Sequence, residues 1–193
     1  MSELFRVLIV CTGNICRSPM AQTMFEDKLR KKSIIGVSVE SAGTFALERE
    51  DMPNEAKASL VNQGYQVGKH EAQQVTPEIL ANSDLILTAT EEHRAEIVRI
   101  YTKANRNAFT LKELHNILDF MNDPEREVEI ETSSILKEKV RIASSSKGYP
   151  VSDGSLDLED PYQQGQQAFD VTMSELEPLI ESITSWIGDE QKY

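Results

Sequence analysis

Hydrophobic positions along the chain follow two spacings, one typical of buried strands and the other of helices that pack on a sheet. A largely apolar segment at 5–10, rich in β-branched residues, predicts a buried strand. Behind it, apolar residues recur at helical spacing over 20–29, which predicts an amphipathic helix. Residues 84–89 contain a second continuous apolar run, Leu-Ile-Leu, which is typical of a parallel strand covered on both faces.

The rest of the chain continues this alternation of strands and helices. Short strands are predicted over residues 37–41 and 108–110, and helices over residues 53–63, after Thr76, after the N-cap Thr90, along an apolar stripe at residues 111–121, around residues 134–143, and over residues 169–187 with a kink at Pro178. Strands that alternate with helices form parallel sheets. We therefore predict an α/β protein: a single three-layer domain over residues 1–193, with a four-stranded parallel sheet and helices on both of its faces.

Residues 122–157 differ from the rest of the chain because they are mostly polar. Within them, the Ser-Ser-Ser-Lys-Gly stretch at 144–148 is typical of a loop. We predict that residues 122–157 form a polar, mobile segment inside the domain.

Charge and cysteine content limit the classes of partner. The 193 residues carry a formal net charge of −12, which argues against nucleic acid and anionic membrane surfaces as partners. The two cysteines, Cys11 and Cys16, lie close together, so the disulfide framework of a secreted protein is absent. The N-terminal apolar run is too short to span a bilayer, and no signal-peptide pattern precedes it. We expect a cytoplasmic protein with no membrane partner.

The most informative stretch lies where the first predicted strand meets the first predicted helix. Cys11 ends the strand, and Pro19 stands in the expected first turn of the helix. The short loop between them would point its N–H groups inward beside a helix N-terminus, which makes an anion-binding site. Such a site favours the thiolate form of Cys11, which is the nucleophilic form. Arg17, six residues after Cys11, could hold two oxygens of a bound tetrahedral oxyanion.

Three neighbouring residues fit the same interpretation. Gly13 and Asn14 tolerate the unusual backbone angles of a tight loop, and the Ser18 hydroxyl could donate a hydrogen bond to the Cys11 sulfur. A cysteine at the end of a strand is, by itself, more often a small buried apolar residue. The strand–loop–helix context therefore carries the catalytic interpretation.

The run from Cys11 to Pro19 reads Cys-Thr-Gly-Asn-Ile-Cys-Arg-Ser-Pro and resembles the signature loop of the low molecular weight protein tyrosine phosphatases. Further matches follow in order: Ser-Ala-Gly-Thr at residues 41–44, His70, and Asp-Pro-Tyr at residues 160–162. The resemblance covers most of the chain, apart from part of the polar segment. Residues 41–44 and 88–94 look more like bacterial members of the family.

The resemblance implies a reaction and assigns roles in it. Cys11 would attack phosphorus and form a cysteinyl-phosphate intermediate, Arg17 and the loop amides would stabilise the phosphoryl oxygens, and Asp160 would protonate the leaving group and then activate water. The phosphate-binding loop would consist of Thr12, Gly13, Asn14, Ile15, Cys16, Arg17 and Ser18.

The residues alone leave the roles of Asp160 and Cys16 open. Asp160 is equally suited to capping a turn before the proline that follows it. Three further acidic residues lie close by in sequence and are alternative proton donors: Asp153, Asp157 and Glu159. Cys16 could close a disulfide with Cys11 under peroxide, or it could simply fill space behind the loop.

The resemblance also implies supporting residues. In the family, a hydrogen-bond network braces the loop, and the matching positions in this chain are Asn14, Ser18, Ser41 and His70.

Tyr162 and Leu47 would line the substrate cleft. Many relatives carry a bulky aromatic residue at the position of Leu47, so a weaker preference for aromatic rings is expected. Gln73 replaces a basic residue common in the family. His93 and His115 fit no pattern, and the histidines are too scattered for a metal site, so neither metal nor cofactor is expected.

The favoured function is therefore that of a protein-tyrosine phosphatase, a phosphoric monoester hydrolase with phosphotyrosine proteins as substrates. Bacterial relatives often act on tyrosine kinases of polysaccharide export, so such a kinase is the expected partner. The number of subunits is left open.

Three alternatives remain. An arsenate reductase on the same scaffold would need an external thiol, because no cysteine follows Cys16. A protein arginine phosphatase would tend to carry threonine in place of Ile15. A non-catalytic phosphate-binding module would normally lack the nucleophile or the acid, and this chain has both.

Overall fold

The sheet has four strands, all of which run parallel. The computed structural model describes residues 4–121, 136–148 and 154–188. Its strands are β1 (Phe5–Cys11), β2 (Val37–Gly43), β3 (Leu85–Thr88) and β4 (Ala108–Thr110). Its α-helices are α1 (Arg17–Lys31), α2 (Asn54–Asn62), α3 (Pro77–Ala81), α4 (Glu91–Ile100), α5 (Leu111–Met121), α6 (Leu136–Ser145) and α7 (Gln166–Gly188). The order across the sheet is β2-β1-β3-β4, so the predicted α/β fold is confirmed.

Alternate residues of β1 face the two sides of the sheet. Val7 and Ile9 belong to the larger hydrophobic core, which contains residues of α1, α2, α5, α6 and α7. Leu8 and Val10 belong to a smaller core with residues of α3 and α4. Because successive side chains of a strand point in opposite directions, a continuous apolar run is what a doubly covered strand requires. The sheet is therefore the middle of three layers.

The carboxyl ends of the central strands meet at one edge of the sheet. Cys11, the last residue of β1, pairs with Gly43, the last residue of β2. On the other side, Val10 pairs with Thr88 at the end of β3. In open α/β sheets ligands bind at this edge. The fold therefore brings the loop after Cys11 to the expected position.

Several predicted elements have shifted ends. β2 extends two residues beyond the predicted range of 37–41, because Ala42 and Gly43 continue the pairing with β1. Pro53 is the N-cap of α2 and not its first helical residue. A 3₁₀-helix, Thr102–Arg106, is not visible in the hydrophobic pattern, since Ala104 is its one buried residue.

The polar segment is described only in part. Residues 122–135 and 149–153 lie outside the described residues, and with them Asp153 and the predicted start of the helix around 134–143. α6 runs to Ser145, so the first two residues of the loop predicted at 144–148 are helical. The helix α7 continues through Pro178, which is exposed, and the kink there stays a prediction. Among the helices of the described residues, none combines the length and apolar character needed to cross a bilayer.

Candidate active site

The loop after β1 leaves main-chain donors unused at the start of a helix. Cys11 is the last residue of β1, and α1 begins at Arg17. Cys16, the N-cap of α1, offers no side-chain hydrogen bond to the first turn. Over the described ranges, no main-chain carbonyl accepts a hydrogen bond from the N–H groups of residues 12–17. Unused donors at a helix N-terminus attract anions.

Asn14 holds the shape of this loop. It is fully buried, and its φ of +55° lies in the left-handed region that asparagine adopts more readily than most residues. Its Nδ2 donates to Ser18 Oγ and to Ser41 Oγ, each at 2.9 Å. Its Oδ1 accepts from the Gln73 main-chain N–H at 2.9 Å, and its carbonyl accepts from His70 Nε2 at 2.6 Å. The structure thus brings together the four residues that the resemblance placed in a bracing network, and adds Gln73.

The same network directs a proton to the Cys11 sulfur. Ser18 Oγ lies 3.0 Å from Cys11 Sγ. Because Asn14 Nδ2 already donates to this hydroxyl oxygen, the hydroxyl proton of Ser18 is free to be donated to sulfur. A hydrogen bond of this direction stabilises negative charge on the sulfur.

The second thiol has a different environment. Burial, together with the negative charges of Cys11 and Asp160, raises the pKa of Cys16 to about 12. Cys16 therefore stays protonated at neutral pH and is a poor nucleophile. Both cysteines are free and buried, and the disulfide between them stays a prediction.

Arg17 links the loop to the segment that carries Asp160. Its guanidinium is buried, with Nη1 donating to the Leu158 carbonyl at 3.1 Å and Nη2 donating to Asp160 Oδ2 at 2.8 Å. Its Nε is buried and has no acceptor among the described residues, so a donor remains for a bound oxyanion. Asp160 Oδ1 accepts from the Tyr162 N–H at 3.3 Å. Asp160 therefore caps a turn with one oxygen and reaches the site with the other.

Two of the three alternative acids, Asp157 and Glu159, are described, and neither lines the cavity that contains Cys11. Asp157 Oδ1 accepts from the Glu91 N–H at 2.8 Å and so caps the start of α4. Glu159 lines a neighbouring cavity beside α7, which Asp160 also borders. Asp160 lines the same cavity as Cys11 and is the acid best placed for the predicted role.

A cavity of about 190 Å³ opens above the loop. It is lined by Cys11, Thr12, Gly13, Ile15, Cys16, Arg17, Phe45, Leu47, Asp160 and Tyr162. Its outer wall contains the predicted Leu47 and Tyr162, each 44% exposed, and also Phe45, which is 76% exposed and was not singled out from the sequence. The Phe45 N–H donates to the Thr12 carbonyl at 2.9 Å, and the Leu47 N–H donates to the Gly13 carbonyl at 3.0 Å. The wall is thus fixed to the loop by main-chain bonds, and Phe45 supplies an aromatic ring beside Leu47.

Replacing Phe45 tests whether this ring serves the substrate. We expect Phe45→Ala to raise KM for an aryl phosphate about tenfold with little change in kcat, because a stacked ring contributes about 0.5–1.5 kcal/mol beyond its buried area. Steady-state kinetics with aryl phosphates measure the effect. Phe45→Tyr is the matched control and should keep KM near that of the unmodified protein. An unchanged KM in Phe45→Ala would contradict this role.

His93 also lies at the site, although no sequence pattern supported it. It is 7% exposed, with Nε2 2.8 Å from Thr12 Oγ1 and Nδ1 2.7 Å from Thr90 Oγ1. Burial and the positive charge of Arg17 lower the pKa of His93 to about 4, so the ring is neutral at physiological pH. The available sequence signal was its spacing from Thr90, since a residue three positions after an N-cap lies in the first helical turn.

His115 lies away from the site, where its Nδ1 is 2.7 Å from Ser182 Oγ on α7. The described part of the chain contains no group of three or more His, Cys, Asp or Glu side chains able to hold a metal ion.

Gly43 allows close contact between β2 and the loop. A Cβ built on Gly43 would lie 2.4 Å from the Thr12 carbonyl oxygen and 3.0 Å from Ala46 Cα, both main-chain atoms that a rotamer change cannot move. We expect Gly43→Ala to lower the free energy of unfolding by about 1–3 kcal/mol and to displace the loop. Urea denaturation measures the loss. Gly68→Ala is the control, since its added Cβ has no neighbour within 4 Å, and equal stability of the two variants would contradict the prediction.

Comparison with known proteins identifies the family. The family model described as low molecular weight phosphotyrosine protein phosphatase matches residues 6–131. The chain belongs to this family. The predicted class of enzyme, a phosphoric monoester hydrolase of the low molecular weight protein-tyrosine phosphatases, is confirmed at the level of the family.

Similar proteins come from bacteria. A protein-arginine-phosphatase from Geobacillus stearothermophilus is 38% identical over 109 residues, which cover 56% of this chain and 70% of the relative. A probable low molecular weight protein-tyrosine-phosphatase, EpsP from Ralstonia nicotianae, is 36% identical over 108 residues, covering 56% of this chain and 71% of the relative. Among solved structures, the YwlE arginine phosphatase from Geobacillus stearothermophilus superposes with a TM-score of 0.70 at 29% identity, covering 97% of this chain and 95% of that one.

Proposed function

We propose that this phosphatase hydrolyses phosphotyrosine in proteins through a cysteinyl-phosphate intermediate. One observation carries the proposal: the Cys11 thiol, the Arg17 guanidinium and the Asp160 carboxyl line a single cavity. A nucleophile, donors for the phosphoryl oxygens and a proton donor are the three groups that hydrolysis of a phosphate monoester requires.

The first step transfers the phosphoryl group to sulfur. The Cys11 thiolate attacks phosphorus in line with the bond to the tyrosine oxygen, and the sulfur–phosphorus bond forms as that bond breaks. Asp160 gives its proton to the departing oxygen, so tyrosine leaves as the neutral phenol. The free loop N–H groups and Arg17 stabilise the three remaining phosphoryl oxygens.

The second step releases phosphate. The Asp160 carboxylate takes a proton from a water molecule, whose oxygen attacks phosphorus while the bond to sulfur breaks. The Ser18 hydroxyl, 3.0 Å from Cys11 Sγ, stabilises the thiolate that leaves. This step regenerates the Cys11 thiolate and the protonated carboxyl group of Asp160.

The cavity walls support phosphotyrosine as the substrate. Phe45 and Tyr162 offer aromatic faces against which a phenyl ring can stack. The nucleophile is 2% exposed at the bottom of the cavity, so a long side chain reaches it more easily than phosphoserine does.

Phosphoarginine is a second candidate. The relative that is 38% identical and the structural neighbour that is 29% identical are both named arginine phosphatases. A guanidinium plane also stacks on aromatic rings. Against this candidate, Ile15 lines the cavity with an apolar side chain where arginine phosphatases of the family tend to carry threonine.

Three matched peptides that carry phosphotyrosine, phosphoarginine or phosphoserine test the substrate. We expect kcat/KM to be highest for phosphotyrosine, with hydrolysis unaffected by EDTA and inhibited by vanadate. Faster turnover of phosphoarginine would favour the second candidate. Arsenate-dependent oxidation of an added thiol without peptide hydrolysis would indicate a reductase, and tight phosphopeptide binding without turnover would indicate a binding module.

We also infer the setting in which the enzyme acts. A cytoplasmic location is supported by the two free thiols, because the nucleophile has to stay reduced. A bacterial tyrosine kinase of polysaccharide export is the proposed natural substrate, on the resemblance to bacterial members of the family. Trapping of phosphoproteins from a lysate with Cys11→Ser or Asp160→Ala, followed by identification of the bound protein, tests this assignment.

A further inference from the structure

His93 is a buried titratable residue that the two reaction steps do not use. It occupies the first turn of α4, and both of its ring nitrogens lie within hydrogen-bond distance of a threonine hydroxyl: Nδ1 2.7 Å from Thr90 Oγ1, and Nε2 2.8 Å from Thr12 Oγ1. Thr12 directly follows the nucleophile and lines the cavity. A side chain buried between two hydroxyls, one of which faces the substrate site, is arranged to orient that hydroxyl.

The contacts of Thr90 favour one tautomer of His93. Thr90 Oγ1 accepts a hydrogen bond from the His93 main-chain N–H at 3.2 Å, as an N-cap does. Thr90 can then donate its hydroxyl proton to His93 Nδ1, which lies 2.7 Å from Thr90 Oγ1. A neutral imidazole that accepts at Nδ1 carries its proton at Nε2. His93 Nε2 is then the donor to Thr12 Oγ1.

Thr12 Oγ1 also accepts a second hydrogen bond. Arg17 Nη2 donates to it at 3.3 Å, and the same nitrogen donates to Asp160 Oδ2 at 2.8 Å. With bonds from His93 and from Arg17, both lone pairs of the Thr12 oxygen are occupied. The hydroxyl proton of Thr12 is therefore left for an acceptor other than these two donor groups, and both Thr12 and Asp160 line the cavity.

We propose that Thr12 is a catalytic residue whose hydroxyl donates a hydrogen bond to an oxygen of the phosphate ester beside Asp160, and that His93 is the positioning residue that aims this hydroxyl. The inference rests on the proposed function, because it assigns an additional donor to the same phosphoryl transfer. The low pKa of His93 agrees with it, since a protonated ring could not accept at Nδ1. A donor that acts mainly on charge developing in the transition state affects kcat more than KM.

Two substitutions of His93 separate positioning from packing. In His93→Gln the side-chain amide can place a donor where Nε2 lies, whereas in His93→Asn the shorter amide reaches only the position of Nδ1. We expect His93→Asn to lower kcat for an aryl phosphate about tenfold with KM nearly unchanged, because the hydroxyl that donates to the phosphate ester is no longer aimed. His93→Gln should retain most of kcat.

Variants of Thr12 complete a double-mutant cycle with His93. Thr12→Val should lower kcat about tenfold, and Thr12→Ser should retain most of it, because serine keeps the hydroxyl. In the Thr12→Val background, His93→Asn should have little further effect, since its target is gone. Equal losses in His93→Asn and His93→Gln, or a full additional loss in the double variant, would overturn the proposal.

The tautomer can be measured without any variant. ¹⁵N NMR of the unmodified protein should show His93 protonated at Nε2 and unprotonated at Nδ1, unchanged between pH 8 and about 6, because the ring titrates only near pH 4. A proton at Nδ1 would overturn the proposal even if a variant failed to fold. Failure of the proposed function would appear separately, as absence of Cys11-dependent hydrolysis by the unmodified protein.

Discussion

Cys11→Ser is expected to abolish turnover of aryl phosphates, with kcat falling by about 10⁴-fold or more. Serine keeps the shape of the side chain, but its hydroxyl is far less acidic and is a much weaker nucleophile than a thiolate. The loop donors and Arg17 are untouched, so vanadate and phosphate should still bind. Steady-state kinetics and a binding assay with vanadate measure the two effects, and mass spectrometry should detect a phosphorylated cysteine only in the unmodified protein.

Cys16→Ala is the comparison for this variant. The burial of Cys16 and the neighbouring negative charges keep its thiol protonated, so its loss should leave most of the turnover in place. Full activity of Cys11→Ser, or loss of the phosphorylated intermediate on removal of Cys16 instead, would show that the wrong sulfur has been assigned.

Asp160→Asn should lower kcat for a phosphotyrosine peptide by about 10²–10⁴-fold, the usual contribution of a positioned general acid. The amide has nearly the same shape but cannot protonate the leaving oxygen. The loss should be smaller for p-nitrophenyl phosphate, because its phenolate leaves readily without a proton. Comparison of kcat for the two substrates measures the proton transfer directly.

The free energy of unfolding should change little in Asp160→Asn. Arg17 is buried, but the Asp160 side chain is 46% exposed, and the asparagine oxygen can still accept from Arg17 Nη2, so the expected loss is about 0–1 kcal/mol. Glu159→Gln is the matched control, since Glu159 does not line the cavity that contains Cys11, and this variant should show normal kcat on both substrates. An equal loss for both leaving groups in Asp160→Asn would mean that Asp160 only positions Arg17.

Much of the fold could be predicted because its signals are local. The apolar run of β1 and the helical spacing within α1 each depend on a few consecutive residues, and both elements were found where expected. The end of β2 could not be placed, because Ala42 and Gly43 become strand only through their pairing with β1. The 3₁₀-helix after α4 carries too little buried apolar surface to leave a pattern.

The same distinction applies to the site. Cys11 and Arg17 share one loop, so their chemistry is visible in sequence. Asp160 meets Arg17 across 143 positions, and only the family resemblance suggested it. His93 lies 81 positions from Thr12, and its contact with the loop depends on how β3 places the start of α4. Phe45 was missed because a single exposed aromatic residue has no periodicity.

The main-chain bonds from Phe45 and Leu47 to the loop carbonyls have an evolutionary consequence. Main-chain bonds do not depend on which side chain is present, so mutations at these two positions can alter the entrance without disturbing the residues that handle phosphorus. Preference among phosphorylated amino acids can therefore diverge within a lineage while the underlying chemistry is inherited intact.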